Sequence, residues 1–385
     1  MKSKRICGAA AIALAAVMLT ACSKGADNGA TDAANEMTTR VIYMNDNTAD
    51  EADSASTVES MEVPAGMYLS ELTGEPIDEE LKNQRPIAVM VDNERTALDH
   101  FGTAEADVVY EMMNSTANDR ITRLMVLVKD WGKIKQLGSI RSTRPTNLLL
   151  YPEWNAVLCH DGGPAVHINA YLENDYTPRF NGSFSRVDNG KPTEFTEYIL
   201  EGDLERNFSN SGISPEYDDK RLEDESHFEF APYGTTIDLE TDYEGAFDAS
   251  EIDMSQVFFH NGSKLIYNEE TKTYDYHEYG APHADGEDGE VMSFKNVFLQ
   301  YVVFNQLDDN GYLIYNVLDF NYNKAYYFTN GKGVEVFWTK PETLDHTRYY
   351  IYNESGLLEE ITINAGKTYI GLIPHDSWDQ LDIKK

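Results

Sequence analysis

Cysteine is scarce in this chain of 385 residues, which has only Cys7, Cys22 and Cys159. The first two fall within or at the end of an N-terminal leader. Cys159 is then the only thiol of the folded part, which excludes an intrachain disulfide. A chain without disulfides must be held together by its core, and one this long can bury enough apolar surface to do so. Cys159 stands beside Val157, Leu158 and His160, a setting for a small buried hydrophobe rather than a nucleophile.

Positive charge is also scarce: 31 Lys and Arg face 66 Asp and Glu, a formal net charge of -35. So acidic a chain repels phosphate backbones and anionic headgroups, which argues against nucleic acid as a partner. Catalytic signatures are missing too: there is no Gly-x-Ser-x-Gly, no phosphate-binding loop and no His-Glu-x-x-His. His160 with Asp161 and His167, or His283 with Asp285, come nearest to a metal set. No ligand spacing repeats among them, so neither a metal nor a cofactor is expected.

What is present begins at the N-terminus. Lys2, Lys4 and Arg5 precede an apolar and small run from Ile6 to Leu19, which ends in Leu19-Thr20-Ala21-Cys22. The run has the length of a signal-peptide core and is short for a membrane span, which takes about 20 apolar residues. Its ending resembles the bacterial lipobox, where cleavage leaves the cysteine as first mature residue, carrying a thioether-linked diacylglycerol. That resemblance implies a signal peptide over 1–21, lipidation with palmitate-type chains at Cys22, and an extracytoplasmic protein held on the outer face of the bacterial cell membrane. Acyl burial at roughly 0.8 kcal/mol per CH2 lets two chains hold a soluble domain there. A plain secretory signal is the alternative.

Residues 22–83 are rich in Ala, Thr, Ser, Asn, Asp and Glu, with Lys24, Arg40 and Lys82 as their basic residues. Lacking a sustained period, they read as a disordered, self-repelling acidic tether. From Arg85 to Pro145 the charge balances, and six arginines gather: Arg85, Arg95, Arg120, Arg123, Arg141 and Arg144. Guanidinium suits bidentate capture of carboxylate or phosphate, although internal pairing with Asp92, Glu94, Asp107 and Glu111 would account for the same residues.

The runs Pro86–Val91, Asp107–Met112, Arg123–Val128 and Asn155–His160 are near-continuously apolar, the pattern of strands buried on both faces. Helical stretches are expected over 147–154, 165–173 and 194–208, giving a mixed α/β domain over 84–234. After an acidic connector, 235–254, aromatic and β-branched runs alternate with Asn261-Gly262, Asp309-Asn310-Gly311 and Asn330-Gly331. These predict antiparallel hairpins in a smaller β-rich domain over 255–376, and an α+β fold class for the whole. Its tyrosines fit core packing better than an exposed sugar-stacking face, since no run alternates cleanly.

Arg85-Pro86-Ile87-Ala88-Val89-Met90-Val91-Asp92-Asn93, Ala106-Asp107-Val108-Val109-Tyr110-Glu111, Ile121-Thr122-Arg123-Leu124, Gly138-Ser139-Ile140-Arg141-Ser142-Thr143-Arg144-Pro145 and His160-Asp161-Gly162-Gly163 follow one another in order. They resemble the successive motifs of the YerB-like bacterial lipoprotein family. Pro282-His283-Ala284-Asp285, Lys295-Asn296-Val297 and Thr347-Arg348-Tyr349-Tyr350 are similar to that family's C-terminal domain. The resemblance covers nearly everything after Asn83 and implies the architecture and envelope location, but no reaction, the family being of unknown function.

Ligands of open α/β sheets bind beyond the carboxyl ends of the strands. The candidates there are Asn93, Arg95, Glu111, Arg123, Arg141, Ser142, Arg144 and His160, with Gly162 and Gly163 offering backbone N–H groups to an anion; His283 and Asp285 are candidates in the second domain. The expected function is a lipid-anchored binding or scaffolding protein of the cell envelope with an arginine-lined anion cleft. Its partners would be the membrane, through the anchor, and peptidoglycan or envelope proteins. The alternative is an envelope hydrolase or transferase using His160 as general base with Glu111 or Asp161.

Overall fold

The structure, a computed structural model, describes residues 61–222, 226–353 and 355–385. The leader, Cys22 and the tether as far as residue 60 lie outside the described residues.

The apolar runs become strands because each is covered on both sides. In β1 (Ile87–Asp92), Ile87, Val89 and Val91 enter one core cluster while Ala88 and Met90 enter another. β2 (Val108–Met113), β3 (Thr122–Val128), β4 (Val157–His160) and β5 (Arg179–Asn181) follow. The later strands of the same sheet are β6 (Asn296–Val302), β7 (Asp319–Thr329), β8 (Lys332–Lys340), β9 (Arg348–Tyr352), β10 (Leu358–Glu360) and β11 (Thr368–Pro374). Their order across the sheet is β10-β9-β8-β7-β6-β11-β2-β3-β1-β4-β5.

The two expected domains therefore share one sheet. β11 lies parallel to β2, with Tyr369 opposite Val109, and parallel to β6 on its other side. The β7–β8 hairpin turns at Asn330 and Gly331, at φ of 51° and 76°, the positive values a two-residue hairpin turn requires. A smaller antiparallel sheet, built from Glu251–Asp253, Lys264–Asn268, Thr273–Glu278 and Asp382–Lys384 with short flanking strands, supplies Ile252, Leu265, Tyr274 and Tyr276 to one of the two cores.

Several expectations need correction. Among the described residues strand outweighs helix, 38% to 15%, so the fold is more β-rich than a mixed α/β domain followed by a smaller β domain. Residues 147–154 form a short helix, Asn147–Leu150, that tightens into a 3-10 turn, and 165–173 yields Ala165–Leu172. The stretch 194–208 is not one helix. Tyr198, Ile199 and Leu200 extend as strand Glu197–Leu200, Gly202 turns at φ 84°, and only then does helix Asp203–Ser211 begin.

The tether reading fails for 61–83: Met67–Leu69 pairs with Pro76–Asp78, Leu72 is buried in the core, and the Gly366 N–H donates to the Thr73 carbonyl. The connector reading fails as well, because Phe247–Asp248 pairs with β8 and Glu251–Asp253 pairs within the smaller sheet. No helix among the described residues is long and apolar enough to cross a membrane.

Candidate functional site

β1 and β3 run antiparallel with Asp92 opposite Arg123 at one end of the sheet. The loop after Gly138 is laced to the same end: the Arg141 N–H donates to the Met90 carbonyl, the Asp161 N–H to the Arg141 carbonyl, and the Thr143 N–H to the Gly162 carbonyl. These bonds aim Arg123, Arg141, Ser142 and Arg144 into one cleft of about 660 Å³, which Asn114, Ser115 and Tyr312 help to line.

The acids of this cleft are shared unevenly. Arg141 Nε donates to Asp92 Oδ2 at 2.5 Å and its Nη2 to Glu194 Oε2 at 2.5 Å. Arg123 Nη2 lies 3.7 Å from Asp92 Oδ2, and its Nη1 donates to the Ser142 carbonyl at 2.7 Å. Burial alone would raise the Asp92 carboxyl, but Arg123 and Arg141 together hold it below its ordinary value. Arg144 has no carboxylate within ion-pair reach among the described residues. Its Nη1 donates to Ser142 Oγ at 3.0 Å and to the Thr143 carbonyl at 2.8 Å, and its guanidinium sits 4.8 Å from the centre of the Tyr312 ring. Its Nε is buried without an acceptor. With 9% exposure, burial and the nearby Arg123 hold this guanidinium down at about 9.

The remaining candidates lie elsewhere. Glu111 is fully buried and accepts from Tyr369 at 2.6 Å and from Thr122 and Ser263 at 2.7 Å each. Burial raises its carboxyl in spite of those hydroxyls. Asn93 belongs to the same network, donating to Thr122 Oγ1 at 2.9 Å. Arg95 is exposed and lies 5.4 Å from the ring centre of Tyr279.

His160 is 1% exposed, its Nδ1 is bonded to the Gly162 carbonyl at 2.8 Å, and burial pushes it down to about 4. Neither suggested carboxylate pairs with it: Glu111 sits in the network above, and Asp161 takes Arg186 at 3.0 Å. The Gly162 N–H is already given to Asn181 Oδ1. A Cβ at Gly163 would meet Ile168 Cδ1 at 2.5 Å and the Thr143 carbonyl at 3.1 Å, so a side chain there would have to displace the tip of Ile168 and crowd the Thr143 backbone. The Gly162 N–H is thus not free for an anion, and neither glycine lines the arginine cleft. Cys159 is fully buried and burial pushes its thiol up, as a small core hydrophobe requires. Tyr274, Tyr276, Tyr327, Tyr349 and Tyr369 fill the cores, while Phe320, Tyr322 and Tyr352 remain exposed.

Two buried polar clusters escaped the sequence reading. In one, Glu153 meets Lys340 at 3.1 Å with both side chains fully buried, and also accepts from Tyr110 and Thr347. His227 and His346 complete that cluster, their rings 4.8 Å apart. In the other, His283 is joined not by Asp285 as an equal partner but by His100 and Glu278. Asp285 instead accepts from the backbone N–H of Thr103 at 3.0 Å.

A strand-dominated protein of two sequence segments sharing one sheet, with a guanidinium-lined cleft at a strand end, is the class these features define. The family profile described as protein of unknown function (DUF3048), N-terminal domain, matches residues 72–214, and the corresponding C-terminal domain matches 254–370. The chain belongs to this YerB-like DUF3048 family. The crystal structure of YerB from Bacillus subtilis is similar to it, with a TM-score of 0.67 at 20% identity, covering 83% of this chain and 100% of that one. No curated protein matches the chain.

Proposed function

We propose that the protein is a lipid-anchored, extracytoplasmic binding or scaffolding protein of the bacterial cell envelope, which holds an anionic group of its partner in the arginine cleft. The observation that carries this reading is Arg144, a guanidinium kept 9% exposed beside two further arginines without a carboxylate of its own. Burying an uncompensated cation is costly, and a fold retains one where an external anion completes it. With Nη1 engaged internally and Nε buried, Nη2 is the guanidinium nitrogen left to donate a charge-assisted bond to a ligand carboxylate. Peptidoglycan stem peptides and the C-termini of envelope proteins both carry such a group. The anchor rests on Cys22 and the leader before it.

The test is binding of a short peptide with a free C-terminal carboxylate, with its amide as control, to wild type and to Arg144→Lys. Lysine keeps the charge but loses the planar guanidinium, whose Nη1 bonds to Ser142 and the Thr143 carbonyl hold Nη2 in place, so affinity should fall at least tenfold. Equal binding of acid and amide by the wild type would overturn the reading. The anchor is tested separately: Cys22→Ser should move the protein from the membrane fraction to the soluble extracytoplasmic one, and a variant that stays membrane-bound counts against lipidation at this residue.

A further inference from the structure

His100, Glu278 and His283 bring one potential ligand atom each to within 4.8 Å of one another, and they are 0%, 3% and 3% exposed. Glu278 and His283 are brought together by a hairpin, in which Glu278 pairs with Ala281 across the turn Tyr279-Gly280. His100 arrives from the loop between β1 and β2, where its carbonyl accepts from the Gly286 N–H at 2.7 Å. Each segment of the family thus contributes to the cluster.

Left to itself the cluster is poorly satisfied. Both ring nitrogens of His100 and Oε2 of Glu278 are buried without a hydrogen-bond partner. Glu278 has no Lys or Arg in ion-pair reach among the described residues, and its Oε1 lies 2.7 Å from His283 Nδ1. The cluster thus buries three polar atoms without a partner, and each such atom costs about 1–3 kcal/mol. Buried polar groups are rarely left so in native proteins.

We infer that His100, Glu278 and His283 bind a divalent first-row transition metal of the zinc class, which clamps the loop between β1 and β2 to the hairpin of the C-terminal segment. Two imidazoles with one carboxylate favour such an ion over calcium or magnesium, which take oxygen ligands. The surroundings have the form of an outer shell. His283 Nε2 is hydrogen-bonded to Thr103 Oγ1 at 2.9 Å, leaving Nδ1 toward Glu278, and Asp285 fixes Thr103 through its backbone. Ligating histidines are usually oriented through their other ring nitrogen in this way. Burial on all sides makes the ion structural, incorporated as the two segments come together, so that its binding energy becomes folding energy.

The experiment uses the full chain without an affinity tag, produced with Co2+ as the supplied transition metal and purified without chelator. About one equivalent of bound metal, with visible d–d absorption of a low-coordinate Co2+ site, is the expected result. His100→Phe, which keeps a ring in the cavity, and Glu278→Gln should each lose both the metal and the absorption. In the wild type, Zn2+ in excess over its Kd should raise Tm by about 5 °C relative to metal-free protein. A wild type with less than a tenth of an equivalent and no metal-dependent change in Tm overturns the proposal, even if both variants fail to fold. So does metal retained undiminished by a folded His100→Phe variant.

Discussion

Replacing Arg144 by methionine should separate what the cleft does from what holds it together. The guanidinium is held at about 9 against an ordinary 12.5, and at about 1.36 kcal/mol per pH unit that is a penalty of at most about 5 kcal/mol on the folded state. Water reaching the cleft through the 9% of the residue that is exposed reduces it. Against this stand the two hydrogen bonds from Nη1, worth about 1 kcal/mol each, and the contact with Tyr312, worth about 1 kcal/mol. Methionine fills a similar volume and keeps a favourable sulfur contact with the ring. The balance favours the variant by about 1–2 kcal/mol, or roughly 2 °C in Tm for a chain of this size.

The pH dependence follows from the sign. A cation whose folded pKa lies below its unfolded one destabilises the fold at every pH beneath the folded value. The cost fades only as pH rises from about 9 toward 12.5. The gain on substitution should therefore be the same at pH 6 and pH 8. Thermal unfolding at both values, with and without the free-carboxylate peptide, is the assay: wild type should be stabilised by the peptide and Arg144→Met should not. A variant less stable than wild type in both buffers, together with no peptide effect on the wild type, would show Arg144 to be an ordinary structural residue.

The ion pair of Lys340 and Glu153 should behave in the opposite way. Lys340→Met strands a fully buried carboxylate and should cost about 3–5 kcal/mol, much of it recovered in Lys340→Met/Glu153→Leu, as urea unfolding would read. Although burial opposes it, Lys340 and His227 hold the Glu153 carboxyl well below its ordinary value. The stability it contributes is full above pH 4.5 and falls as the pH drops below that, whereas the stranded carboxylate of Lys340→Met is relieved by protonation, so the destabilisation by Lys340→Met should be greatest near neutral pH and shrink as the pH falls. A chain beginning at residue 255 should show no cooperative thermal transition, because β11 would lose β2 and the smaller sheet would lose Glu251–Asp253. Co-expression with residues 61–254 should restore one.

What could be read from the sequence is what was local. The run Ile87-Ala88-Val89-Met90-Val91 announces a strand because both of its faces are buried, and Asn330-Gly331 announces a hairpin because few other residue pairs take those angles. Arg123, Arg141, Ser142 and Arg144 were legible as a group because strand ends and the loops beside them collect at one edge of the sheet. Glu111 looked equally available, yet it sits on the same face of β2 as Val109, and the hydroxyls that bury it arrive from Ser263 and Tyr369, far along the chain. Leu72 could not be distinguished from tether by composition, being one of several apolar residues scattered without a period through an acidic stretch; only the core it enters reveals it. His100 carried no signal of its own, for its partners lie on a hairpin that nothing nearby in sequence predicts.

The long-range character of these contacts bears on why the two family segments travel together. Glu111 gains Ser263 and Tyr369, Glu153 gains Lys340 and Thr347, and Arg144 gains Tyr312. For the two carboxylates the costly buried group is in the first segment and its compensation is in the second, while Tyr312 gives Arg144 a ring to lie against. An apolar junction of the same area would tolerate sliding, whereas carboxylates buried in one segment accept only the register that brings their partners. On this argument β11 can enter beside β2 in one alignment, the one that places Tyr369 OH against Glu111, and the cleft at the end of the sheet takes shape only once that strand is seated.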